Sequence, residues 1–147
     1  MLSNNKNSLL FKLFLLARIA KIVIHPKNDK IVYVAALGHT FGPQEDRGIY
    51  KTTNGGKTWK KILFIDQNTG GIDIALDRKN PNFLIASMWE IYINTWGLNS
   101  GGESGGVFIS KNAGESWERQ DKNGLPGGKG NPVGKIAVSI SQSNPNT

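Results

Sequence analysis

Two short stretches gather the side chains able to do chemistry. The first, at 37 to 47, offers His39, Phe41, Glu45, Asp46 and Arg47; the second, at 89 to 105, offers Trp89, Glu90, Tyr92, Trp96 and Glu103, with Asn94 and Asn99 among them. Flat aromatic faces beside adaptable polar groups suit a carbohydrate or peptide surface, because the rings bury apolar area while amides and carboxylates fix orientation. The four carboxylates also raise hydrolysis of a glycosidic bond, which takes an acid and a base or nucleophile held about 5 to 9.5 Å apart across the sugar. Nothing in the sequence pairs them, and no catalytic residue is assigned. The competing reading makes Trp89 and Trp96 packing residues and Glu45, Asp46 and Arg47 solvated charges.

Other chemistries find less. The chain has no cysteine, which removes thiol catalysis and thiolate metal sites together. His25 falls in a turn and His39 in a loop expected on opposite edges, so no metal ligand set forms, and no cofactor is expected. Thr52 and Ser110 each precede an Asn by two places but lack a base to activate the hydroxyl. The net charge of +7 is spread over scattered lysines, with no run longer than Lys60-Lys61. A nucleic-acid reader clusters its cations and interleaves aromatics, so no nucleic-acid partner is expected; dispersed lysines protect exposed strands instead.

What must position these residues is a repeated unit. GIYKTTNGGKTWKKIL at 48 to 63 returns as GVFISKNAGESWERQ at 106 to 120, and 58 residues separate Trp59 from Trp117. Each copy is preceded by a strand, a Pro/Asn turn and a second strand: Ile22-Val23-Ile24-His25-Pro26-Lys27-Asn28 before Ile31 to Ala36, and Ile74-Ala75-Leu76-Asp77-Arg78-Lys79-Asn80-Pro81 before Phe83 to Ser87. Pro cannot donate to a ladder, and Pro and Asn preset turn geometry, so each unit reads as four antiparallel strands. The expected strands are 20–25, 31–36, 48–52 and 58–64, then 72–77, 83–88, 106–111 and 116–120. A third copy opens at Val138 and runs to Pro145. Repetition at this spacing implies an all-β propeller, here two four-stranded blades (18–64 and 72–120) plus the first strand of a third (135–147). Further blades are therefore expected as partners. Antiparallel order sends the segments 37–47, 65–71, 89–105 and 121–134 to one edge, where long loops usually carry function.

Each hairpin turn places Asn54-Gly55-Gly56 or Asn112-Ala113-Gly114 where the backbone must reverse, with Trp59 or Trp117 closing over it. Thr52-Thr53-Asn54-Gly55-Gly56-Lys57-Thr58-Trp59 and Ser110-Lys111-Asn112-Ala113-Gly114-Glu115-Ser116-Trp117 resemble the Asp-box, or BNR, repeat of sialidase-like and sortilin-like β-propellers, with Asn in place of the usual Asp in both. The resemblance covers about Arg18 to Thr147. It implies that Thr52, Asn54, Gly56, Trp59, Ser110, Asn112, Gly114 and Trp117 are structural and lie away from any active site. A sialidase site wants three arginines around the substrate carboxylate and a tyrosine nucleophile. That set is not assembled by Arg18, Arg47, Arg78 and Arg119.

The resemblance further implies a non-catalytic scaffold that holds a protein, peptide or glycan ligand on its loop edge, outside the cytoplasm (extracellular or periplasmic). The alternative is a piece of a propeller glycoside hydrolase whose catalytic carboxylates lie partly on other blades. Residues 1–17, with the apolar run Leu9 to Ala17 broken by Lys12, read as a signal-like or spurious leader and are too short for a transmembrane segment.

Overall fold

The computed structural model describes residues 18–122 and 124–144; the expected leader lies outside the described residues. Two antiparallel sheets are present. The first comprises β1 (Ile19–Ile24), β2 (Val32–Ala36), β3 (Gly48–Thr52) and β4 (Lys60–Leu63), hydrogen-bonded in chain order. In the second, β5 (Thr69–Leu76), β6 (Leu84–Asn94), β8 (Gly106–Ser110) and β9 (Glu118–Gln120) repeat that order, and β7 (Gly97–Ser100) pairs with the outer half of β6. Val32 opposes Thr52 in the first sheet as Leu84 opposes Ser110 in the second, so the second and third strands of the two units keep the same register, as the sequence repeat requires. All-β architecture with four-stranded units consistent with propeller blades is thus observed.

Local chemistry sets the strand ends. In the first turn the His25 carbonyl accepts from Asn28 N–H (3.3 Å) and Asn28 Oδ1 accepts from Lys30 N–H (3.1 Å). In the second, Asp77 Oδ1 accepts from Lys79 N–H at 2.8 Å. These short side chains offer the backbone a turn in place of a ladder. Both boxes fold through one hydrogen-bond pattern. Thr52 Oγ1 accepts from Gly56 N–H (3.0 Å), and Ser110 Oγ from Gly114 N–H (2.9 Å). The Asn carbonyl oxygens accept from Thr58 N–H and Ser116 N–H, each at 2.9 Å, while their amides donate to the Thr58 and Ser116 hydroxyls. Trp59 Nε1 donates to the Gly56 carbonyl at 3.1 Å, but the indole N–H of Trp117 is buried without a partner. The box residues therefore hold turns.

The core lies between the sheets. Tyr33, Ala35, Ile49 and Leu63 of the first pack against Ile74, Leu76, Leu84, Ala86, Met88 and Phe108 of the second. Burying each Ile, Leu or Phe there contributes about 1.5–3 kcal/mol. The sheets approach closely because β5 begins with glycines: a Cβ at Gly70 would stand 2.6 Å from the Leu37 carbonyl oxygen, and one at Gly71 2.7 Å from that of Gly48. Behind the core, the turn of box 2 seats on the first sheet. The Ala113 carbonyl accepts from Tyr33 Oη (3.4 Å) and Lys51 Nζ (2.9 Å), and Glu115 pairs with Lys60 (3.2 Å) and Lys51 (3.7 Å).

Three boundaries depart from the sequence reading. The fourth strands are shorter, at 60–63 and 118–120, because the residues after each box turn are still engaged by it. β6 runs on to Asn94 and returns through β7, so most of the expected 89–105 loop is a β-hairpin. The expected opening strand of a third blade runs extended beside β5 without a ladder of its own. Val138 N–H donates to Asp73 Oδ2 (3.1 Å) and Ser87 Oγ to the Ile136 carbonyl (2.7 Å).

Candidate functional site

The four connections expected on one edge do meet there. Gln44 N–H donates to the Gln67 carbonyl (2.9 Å), Ile91 N–H to that of Asn68 (3.0 Å) and Ile93 N–H to that of Thr40 (2.9 Å), while Gly102 and Val133 form a bridge. Antiparallel alternation places these connections together, and the hydrogen bonds then fix them to one another.

Arg47 is the clamp. Its residue is 0% exposed, and its guanidinium donates to the carbonyls of Asn68, Ile91 (3.0 Å) and His39 (3.0 Å), one from each of three chain segments. Burial lowers its pKa, and the Asp66 charge works against that shift. The planar fork spreads its donors over acceptors on separate segments, which a compact ammonium does less well. Arg47, expected at a ligand surface, is instead a buried organiser of this loop edge and not a solvated charge.

The other nominated residues divide. Trp89 is half-buried against Leu37, Ile72 and Ile91, with the Lys135 ammonium 5.9 Å from its ring centre, and so belongs to packing. Trp96, at the β6–β7 turn, is 94% exposed. The isolated bridge of Phe41 to Ile93 and the pairing of Ile93 with Leu98 set these three residues in a row, where Phe41 and Leu98 are 65% and 61% exposed. Tyr92 opposes Asn99 on the same hairpin. His39 is exposed, its Nδ1 3.2 Å from the Phe41 carbonyl oxygen. Glu45 and Asp46 are exposed, and their main-chain carbonyls accept from Lys61 and Tyr50.

Glu90 and Glu103 are engaged by backbone. Glu90 Oε2 accepts from Ser104 N–H at 3.1 Å, its carboxylate filling the space a side chain at Gly102 would need. Glu103 Oε1 accepts from Gly130 N–H at 2.8 Å. The structure adds Asp66, which sequence reasoning passed over. Its Oδ1 accepts from Asn68 N–H (2.8 Å). Burial acts to raise the Asp66 pKa, yet the polar groups of Ser104, Asn68 and Thr69 around it outweigh that and hold the carboxyl below its usual range. The signal for Asp66 was present as Asp66-Gln67-Asn68, an acceptor two places before the amide it caps. Among the described residues, no group of His, Asp and Glu could hold a metal ion, and no helix is long and apolar enough to cross a membrane.

No protein-family profile and no curated protein matches the sequence. Among solved structures, the chain is similar to an ancestral GH74 enzyme at 25% identity and a TM-score of 0.59, covering 88% of this chain and 15% of that one. A second GH74 enzyme, from Niastella koreensis, aligns at 25% identity with a TM-score of 0.46 over 69% of this chain and 14% of that one. The chain thus spans about 15% of the first matching structure, consistent with the remaining propeller being absent. The likeness to the ancestral enzyme lends no support to the expected kinship to sortilin-like proteins.

Proposed function

We propose that this chain supplies part of the polysaccharide-binding edge of a propeller of the glycoside hydrolase type, with the catalytic carboxylates coming partly from blades outside it. The likeness to a GH74 enzyme supports the class. The observation that carries the role is the β6–β7 hairpin, which raises Trp96 almost wholly into solvent beside the Phe41–Ile93–Leu98 row. Isolated exposed apolar residues are ordinary, but a contiguous group on a built hairpin marks an interaction surface. A sugar ring stacks its C–H face on such a side chain. Glu90 and Glu103 already bind backbone amides, so they shape the edge and leave acid–base work to other groups.

Affinity electrophoresis in gels containing soluble β-glucan tests the reading. Trp96→Ala should lose retardation by the glucan at an unchanged melting temperature, because nothing is packed on that ring. Retardation equal to that of the parent chain, or no retardation of the parent by any neutral glycan, would sink the proposal.

A further inference from the structure

The edge opposite the loops carries a hollow whose walls both belong to this chain. It lies at the seam where the box-2 turn seats on the first sheet, has a volume of about 160 Å³, and is lined by Lys51, Thr53, Thr58, Trp59, Lys60 and Glu115. Lys51 is the most buried of its charged groups: the side chain is 12% exposed, and the ammonium donates to the Ala113 carbonyl at 2.9 Å. Glu115 and Lys60 pair at 3.2 Å yet are 56% and 70% exposed, so much of each head group still faces solvent. Trp59 is fixed by its indole N–H on the Gly56 carbonyl (3.1 Å) and stays only half-buried. Thr53 is exposed, and the hydrogen bonds that close box 1 run through Thr52, Asn54, Gly56 and Thr58 without it.

The turn does not require this lining. Box 2 folds through the same hydrogen bonds with Ile109, Lys111 and Glu118 where box 1 has Lys51, Thr53 and Lys60, and box 1 has Lys57 where box 2 has Glu115. An aromatic wall, a carboxylate, ammonium groups and a hydroxyl around a hollow with room for one ring suit a sugar. Its C–H face packs on the indole, its hydroxyls donate to the carboxylate, and its oxygens accept from the lysines. A carboxylate has about four lone-pair sites, and Lys51 and Lys60 each approach one oxygen of Glu115, so acceptor capacity remains. An anion would meet the Glu115 charge, and an apolar ligand would strip water from three ionised groups.

We propose that this seam is a second carbohydrate site, separate from the loop edge, which takes a single neutral pyranose unit of a glycan. Trp59 is its platform, Glu115 accepts from adjacent hydroxyls, and Lys60 and Thr53 complete the contacts. Sugar held on this edge anchors a glycan without occupying the loop edge.

Titration of the full chain with methyl β-D-glucopyranoside, followed through its amide and indole N–H NMR signals, tests the proposal. One ring with few partners binds at about millimolar strength, too weakly to retard the chain in a glucan gel, so the two sites are read by separate experiments. We expect the Trp59 indole signal and the Thr53 and Glu115 amide signals to shift together, and to do so equally in Trp96→Ala. Glu115→Gln keeps an acceptor oxygen but loses the charge and should weaken binding about three- to tenfold. Thr53→Tyr fills the hollow from an exposed position and should abolish the shifts at an unchanged melting temperature. Absence of a shift at Trp59, shifts that survive Thr53→Tyr, or shifts that vanish in Trp96→Ala overturn the proposal. So does tighter binding of methyl β-D-glucuronide than of the glucoside, which would make the hollow an anion site on Lys51 and Lys60.

Discussion

Arg47 shows how far a residue type constrains its own environment. Next to Glu45 and Asp46 it reads as one charge in a solvated run, yet it is buried on carbonyls from His39, Asn68 and Ile91, residues separated from it by up to 44 positions. Backbone acceptors carry no letter in the sequence, which is why the clamp was not legible there. Removing it strands several buried carbonyls at about 1–3 kcal/mol each, so Arg47→Ala should cost roughly 3 kcal/mol or more in urea unfolding. Arg47→Lys should recover little of that. The two rim tryptophans separate in the same experiment: Trp89→Ala should lose about 2–4 kcal/mol of packing, and Trp96→Ala less than about 0.5. Asp66 has a depressed pKa, so its stabilising contribution is complete above about pH 4, the ordinary carboxylate value, and fades as pH falls through the lowered folded value. Melting temperatures measured from pH 6 down to pH 2.5 should fall less steeply for Asp66→Asn than for the parent chain.

Among the elements, the boxes were the most legible because their acceptors and donors lie within six residues of one another. Thr52, Asn54 and Thr58 need no distant partner to close the turn, and Ser110, Asn112 and Ser116 repeat it atom for atom. Replacing either Asn by Ala should destabilise by about 1–2 kcal/mol on the scale of such hydrogen bonds, as read by thermal unfolding. Asn112→Ala should cost more than Asn54→Ala, since box 2 also carries the seat on the first sheet. The β6–β7 hairpin was missed for a local reason. Met88-Trp89-Glu90-Ile91-Tyr92-Ile93-Asn94 has no clean period of two, and the Thr95-Trp96 turn lacks an Asn-Gly pair, so no local signal announces the hairpin. The segment after Lys135 went the other way. Its alternation is strand-like, and a strand needs a neighbour that none of the described residues provides.

For the molecule as a whole, order comes from one sheet resting on the next, and the repeat length made that visible before any contact was known. Which charges meet there was not visible, since Lys51, Lys60 and Glu115 lie on different repeats and look like ordinary surface residues. The Lys60 ammonium, with Lys51 behind it, holds the Glu115 carboxyl below the usual carboxylate range. Glu115→Lys should set three cations together. Its melting temperature should drop at low ionic strength and largely recover at about 1 M salt, where screening acts over roughly 3 Å. Finally, β6 belongs to two structures at once: its first half is a beam of the interior, and its last residues are the mast that holds Trp96 aloft. A load applied at the tip must travel down that single rod. Sugar captured at the rim should therefore slow amide exchange not only near Trp96 but along the ladder toward Leu84, some eight residues below Tyr92.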